Sequence, residues 1–245
     1  MSQDPTAIEP EGRRALIQGA VIAVVVYAIP FLRFIFSYLT ILIHELGHAL
    51  AGWAFGYPSL PAFDFRYGGG FTGHQDRKLL IVLIVYALLA YVVFAVREHP
   101  KLRNLAIGVV AFYSLAAWTP LHEMISIAMG HGAELILAGV FLYRAMTGMS
   151  IIQAAERPLY AACGFFILLS GIAFSWGLMT DEAARDAYAA AKGGGHIMDL
   201  SRLARDYLGV SVPLLAFVML IGCFVVPWVS YRLSKILMAH LRERY

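Results

Sequence analysis

The apolar run over residues 15–55 is about twice as long as the roughly 20 residues that carry a helix across a bilayer. Further apolar runs follow at 79–96, 104–147, 158–179 and 209–231. Hydrophobic residues make up 60% of the chain and charged ones 14%, against about 25% charged in an ordinary soluble domain. The fold class that follows is all-α: a polytopic membrane helix bundle, in which each helix pairs its own backbone groups away from lipid. The 245 residues leave no room for a second large soluble domain.

Breaks inside the long runs set the span count. Pro30 and Arg33 both disfavour the bilayer centre. They predict helices near 14–30 and 34–56 joined by a tight turn at Pro30–Arg33, or else one long kinked helix. Residues 57–78 mix Pro, Gly and aromatic side chains and predict a short hairpin-like loop after the second helix. A helix at 79–96 leads through the charged turn 97–103 into the 104–147 run. That run breaks at Thr119-Pro120 and again at Gly130-His131-Gly132, giving helices near 104–118 and 131–147 with an irregular segment between them. Spans at 158–179 and 209–231 complete six or seven transmembrane helices. Residues 180–206 form an extramembrane loop, in which TDEAARDAYAAAK predicts a surface helix ended by Gly193, Gly194 and Gly195. Residues 1–12 read as a disordered arm, 13–236 as a single transmembrane domain and 237–245 as a basic tail. The first apolar run has no A-x-A-like cleavage site and reads as a retained membrane segment.

The net charge is only +3, and the basic residues sit at the ends of apolar runs. A lipid bilayer is the expected partner, and no nucleic acid. Arg97, Lys101, Arg103, Arg144, Arg157, Arg232, Lys235, Arg242 and Arg244 fall on one side of this topology. The opposite loops, 57–78 and 180–206, are longer, and acids such as Asp64, Asp76 and Asp181 dilute their basic residues. This bias puts the C-terminus in the cytoplasm of what reads as a multi-pass protein of a bacterial inner membrane. Cys163 and Cys223 lie in apolar runs, no CxxC occurs, and both predict inert thiols.

Within the second predicted helix stands His44-Glu45-Leu46-Gly47-His48. Residues four apart lie one turn above each other on one helix face, so two imidazoles can bind a single tetrahedral Zn2+. Glu45 then stands beside the metal as the catalytic base that takes a proton from water. Gly47 leaves room for substrate or a neighbouring helix. Three ionisable groups within five residues of a membrane helix are costly unless they bind or react.

The segment ILIHELGHALAGWAFGYP resembles the first motif of the site-2 protease family of intramembrane metalloproteases, peptidase family M50. The resemblance covers about 34–56 and extends to the Gly-rich loop 68–70, since family members often carry a β-like loop there. It implies a metalloprotease-like domain over 13–236, hydrolysis of peptide bonds in or near the membrane segments of a substrate protein, and an aspartate on a later membrane helix as third zinc ligand. The usual second motif, N-x-x-P-x-x-x-L-D-G, is absent: no Leu-Asp-Gly occurs in the chain.

The third ligand is therefore sought from topology. The uncommitted His and acid pairs all fall on the side where the HELGH helix ends. His131 and Glu134 come first, sharing a helix face at i,i+3. A buried, unpaired Glu134 would be costly, and a metal would neutralise it. Glu134 is the favoured direct ligand, with His131 a second ligand or an oxyanion-stabilising donor. The pair could instead bond each other or Ser126. His196 and Asp199 are the runner-up ligands, also at i,i+3, although Asp199 could pair with Arg202 on a solvated helix. His122 and Glu123 suit the mouth of a site, and His74 suits solvent. Gly68-Gly69-Gly70 could present an edge for strand addition by an unwound substrate, or be a plain turn. The leading expectation is an intramembrane zinc metalloendopeptidase acting on a membrane protein substrate. The alternative is a non-proteolytic zinc-binding membrane protein, metal-handling or scaffolding, which has no need of Glu45 as a base.

Overall fold

The computed structural model describes residues 10–65, 68–191 and 198–242, with side chains up to Ile236. Helix α1 (Pro10–Ala28) and helix α2 (Pro30–Ala54) meet at Ile29 alone. The turn expected over Pro30–Arg33 is instead the first turn of α2. Proline at the start of a helix gives up an N–H that would be unpaired anyway, and it drives the preceding residue out of the helical region. Ile29 accordingly takes φ −90° and ψ 111°. Residues 10–12 of the expected arm are already helical, and residues 1–9 lie outside the described residues.

After α2 the chain forms an antiparallel hairpin of β1 (Ser59–Phe63) and β2 (Gly70–His74), in register Ser59↔His74 to Phe63↔Gly70. This is the hairpin-like loop that the Pro/Gly/aromatic stretch predicts. It folds back along α2. Phe63 meets Tyr38 edge-on at 5.4 Å, and Tyr38 lies roughly 24 Å down the helix axis from Ala54. On the way, Thr72 reaches Glu45.

Helices α3 (Leu79–Ala95) and α4 (Pro100–Ala117) form a hairpin at the edge of the bundle. Arg77 locks its root: Nε donates to the Phe55 carbonyl at the end of α2 (3.0 Å), and an Nη donates to the Ala117 carbonyl at the end of α4 (2.6 Å). One guanidinium thus closes two helix C-termini whose last carbonyls lack helical partners.

Helix α5 (Leu121–Thr147) runs straight through Gly130-His131-Gly132. The break expected there does not occur, nor does an irregular segment over 119–131; only Trp118–Pro120 separates α4 from α5. An isolated glycine costs a helix only about 1 kcal/mol relative to Ala, and packing against α2 outweighs it. Continuity has a consequence: His122, Ser126, Gly130 and Glu134, each four apart, align on one face.

Helix α6 (Glu156–Thr180) leads to α7 (Glu182–Ala190), which Asp181 caps by accepting from the Ala183 N–H at 2.9 Å. The Gly193–Gly195 stop lies outside the described residues. A short α8 (Asp199–Arg202) passes into a π-helical turn, Leu203–Leu208, before α9 (Val212–Arg242).

Among the described residues, four helical segments are long and apolar enough to cross a membrane: Pro30–Ala54, Leu121–Thr147, Glu156–Thr180 and Val212–Ile236. The chain is thus an all-α membrane protein apart from one small hairpin. Helix α5 packs against α2, α6 and α9, around Ile43, Ala138, Leu142, Met146, Ile167, Leu168 and Cys223. Cys163 and Cys223 are free thiols. Where α2 crosses α5, Gly47 lies against the Met129 backbone carbonyl, and any larger residue would push the helices apart.

Replacing Arg77 with Ala removes two charge-assisted bonds to helix ends. Arg77→Ala is expected to destabilise the protein by about 2 kcal/mol, read as a lower melting temperature in detergent.

Candidate metal centre

His44 and His48 project from α2 toward α5. The hydrogen bonds at their Nδ1 atoms assign their tautomers. His44 Nδ1–H donates to Glu134 Oε1 at 2.9 Å. His48 Nδ1–H donates to the Ser126 carbonyl at 2.7 Å. In neutral imidazoles, the form that binds a metal, both Nε2 atoms are then free of protons, and they face each other at 3.1 Å. Asp199 Oδ2 completes the triangle, 2.8 Å from His44 Nε2 and 3.0 Å from His48 Nε2. Three lone-pair donors at such distances repel one another unless a positive charge lies between them. Ligands bound about 2.0–2.1 Å from one tetrahedral zinc stand roughly 3.3 Å apart, so this donor set fits a small divalent cation after opening by a few tenths of an ångström.

Gly130 makes the space. A methyl group there would stand 2.5 Å from His48 Nε2 and 2.6 Å from His44 Nε2. The glycine whose flanking sequence predicts a helix break is the one that lets α5 pass beside the two imidazoles.

Asp199, a runner-up in the sequence, stands at the converging point. It comes from the short helix α8 between α6 and α9, not from one of the four helices long and apolar enough to cross a membrane, whereas the family resemblance implies a membrane helix. Leu200 and Leu203 anchor that segment by packing with Ile127, Leu178 and Ala216 on the ends of α5, α6 and α9. The Leu200 N–H donates to the Tyr188 hydroxyl at 3.1 Å, and Tyr207 donates to Glu123 Oε2 at 2.6 Å. The carboxylate that could have paired with Arg202 turns to the imidazoles instead.

Glu134, the favoured ligand in the sequence, lies on the Nδ1 side of His44, across the ring from the triangle. Its other oxygen is 3.2 Å from His131 Nδ1, and the His131 ring stands edge-on to His44 at 4.6 Å. His44, His131 and Asp199 also form a group whose ligand atoms lie within 4.8 Å of one another and could hold a metal ion. The two donor sets share His44 and Asp199. The set with His48 is the tighter, with every separation at 3.1 Å or less. His196 lies outside the described residues.

The remaining candidates serve other ends. Tyr57 donates to His122 Nε2 at 2.9 Å, while His122 Nδ1–H donates to the Thr119 carbonyl at 2.6 Å, so both nitrogens are occupied. His74 bonds the Ser59 hydroxyl at 2.7 Å. Glu45 is buried, and Thr72 Oγ1 lies 2.7 Å from its Oε2 and 2.9 Å from its backbone carbonyl. The hairpin comes this close because Gly70 has no side chain: a Cβ would stand 2.5 Å from Glu45 Cγ. No local sequence signal marks Thr72 or Tyr188, because both act through segments distant in the chain. A cavity of about 1180 Å3 connects these elements, bordered by His44, Glu45, His48, Asp199, β2 and the His122 end of α5.

Comparison with known protein families, curated proteins and solved structures finds no match.

Removing Asp199 takes away one apex of the donor triangle. Asp199→Ala is expected to lower metal affinity by more than the about 100-fold that loss of an outer partner can cost, measured as metal per chain by elemental analysis at fixed free-metal concentration.

Proposed function

We propose that this chain is an intramembrane zinc metalloprotease that hydrolyses peptide bonds in or near the membrane segments of a substrate protein, as the likeness of its HELGH segment to the site-2 protease family implies. One observation carries the proposal: His44 Nε2, His48 Nε2 and Asp199 Oδ2 converge within 3.1 Å, and a buried glutamate adjoins them in sequence and space. Two imidazoles and one carboxylate are a zinc donor set that leaves a coordination position open. Bound there, zinc would supply Lewis-acid polarisation of a water and of a carbonyl.

The chain's own groups divide the remaining work. Glu45 takes a proton from the attacking water and passes it to the leaving amine. The Thr72 hydroxyl holds one Glu45 oxygen at 2.7 Å and steadies the carboxylate for that transfer. A helical substrate has its backbone hydrogen-bonded and shielded, so it must unwind before attack. Strand β2 belongs to a two-stranded sheet and borders the cavity. Its outer edge is a place where an extended substrate segment can add as a strand.

In this reading α1, α3 and α4 would join the four long helices as membrane helices, giving seven. The distribution of Arg and Lys supports a cytoplasmic C-terminus for α9 and a cavity mouth on the opposite side.

The test is Glu45→Gln in full-length protein, with a single-span reporter protein co-reconstituted in liposomes. The variant is expected to keep its zinc and lose at least about 100-fold in cleavage rate. Cleavage at the wild-type rate with zinc retained would sink the protease assignment and leave a metal-binding role.

A further inference from the structure

We propose that Glu134 is the positioning residue of the metal site: one buried carboxylate that holds His44 and His131 together and sets how strongly His44 binds a metal. This rests on the reading that His44 is a metal ligand, and not on proteolysis.

Glu134 lies inside α5, in a helix long and apolar enough to cross a membrane, with a side chain 13% exposed. A carboxylate there is costly unless each oxygen finds a donor. Each does. Oε1 accepts from His44 Nδ1–H at 2.9 Å, and Oε2 faces His131 Nδ1 at 3.2 Å. His131 and Glu134 are three apart on α5 and so share a face.

Two effects on His44 follow. An acceptor at Nδ1 fixes the tautomer that leaves Nε2 free, and an ionised acceptor makes that nitrogen a stronger ligand. The ring plane is fixed as well, because His131 stands edge-on at 4.6 Å and is itself backed by Phe174 at 5.2 Å. His48 differs: its Nδ1 rests on a neutral carbonyl, that of Ser126, at 2.7 Å. The two histidines of the motif are therefore unequal at Nδ1, where only His44 has a charged partner.

Zn2+ and Co2+ alone are the probes, applied to the full chain purified in detergent. Glu134→Gln keeps the shape and an acceptor oxygen but removes the charge. It is expected to lower Zn2+ affinity about tenfold in competition with a chelating dye, and Glu134→Ala to lower it toward 100-fold. Glu134→Asp should recover part of the loss. The visible bands of the Co2+ form should keep their four-coordinate intensity in Glu134→Gln, because the ligands themselves are unchanged. Wild-type affinity in Glu134→Gln overturns the positioning role and leaves the metal site standing. A Co2+ spectrum that loses a ligand in Glu134→Gln but not in Asp199→Ala overturns it in favour of direct ligation. A wild-type chain that takes up no zinc overturns both readings. If Glu134→Ala does not fold, the Gln variant decides, provided its metal-free melting temperature stays near that of the wild type.

Discussion

The crossing of α2 and α5 is the constraint on which the site depends. Gly47 brings α2 onto the Met129 carbonyl, and Gly130 brings α5 onto the imidazoles of His44 and His48. Packing between membrane helices gains little from apolar surface alone, since lipid is equally apolar, so small residues that admit close backbone approach decide which helices meet. Here they do more than permit contact. The same approach delivers the Ser126 carbonyl to His48 and the Glu134 carboxylate to His44. Without the crossing, His44 and His48 would lose their Nδ1 partners.

Around that crossing, the polar groups are satisfied by elements brought from far along the chain. The hairpin returns beside α2 so that Thr72 meets Glu45. The segment after α6 folds over the bundle end, held by Leu200 and Leu203, so that Asp199 meets both histidines. These two segments are not membrane helices, and together with α5 they border the cavity. Apolar helices thus supply a rigid frame, and irregular segments supply the reach.

Particular residues show how far the sequence could be read. His44, Glu45 and His48 were legible because their chemistry is encoded in a spacing of four on one helix, a purely local property. The local sequence leaves the role of Pro30 open, because a proline that ends one helix and a proline that begins the next have the same local signature, and only Ile29 taking the extended conformation distinguishes them. Gly130 reads as a breaker for a related reason: glycine weakens an isolated helix, but here it marks a contact, and its partners, His44 and His48, lie some eighty residues away.

By itself, then, the sequence determined an apolar helical membrane protein with two histidines on one face of one of its helices, because composition, run length and i,i+4 spacing act within a turn or two of chain. Only the tertiary structure decided that Asp199 takes the third corner and that Glu134 stands behind His44. Both acids stand three residues after a histidine in the sequence, and nothing local separates them. What separates them is which oxygen arrives on which side of the His44 ring, and that is set by where α5 crosses α2 and by how the segment before α9 is pinned over the site.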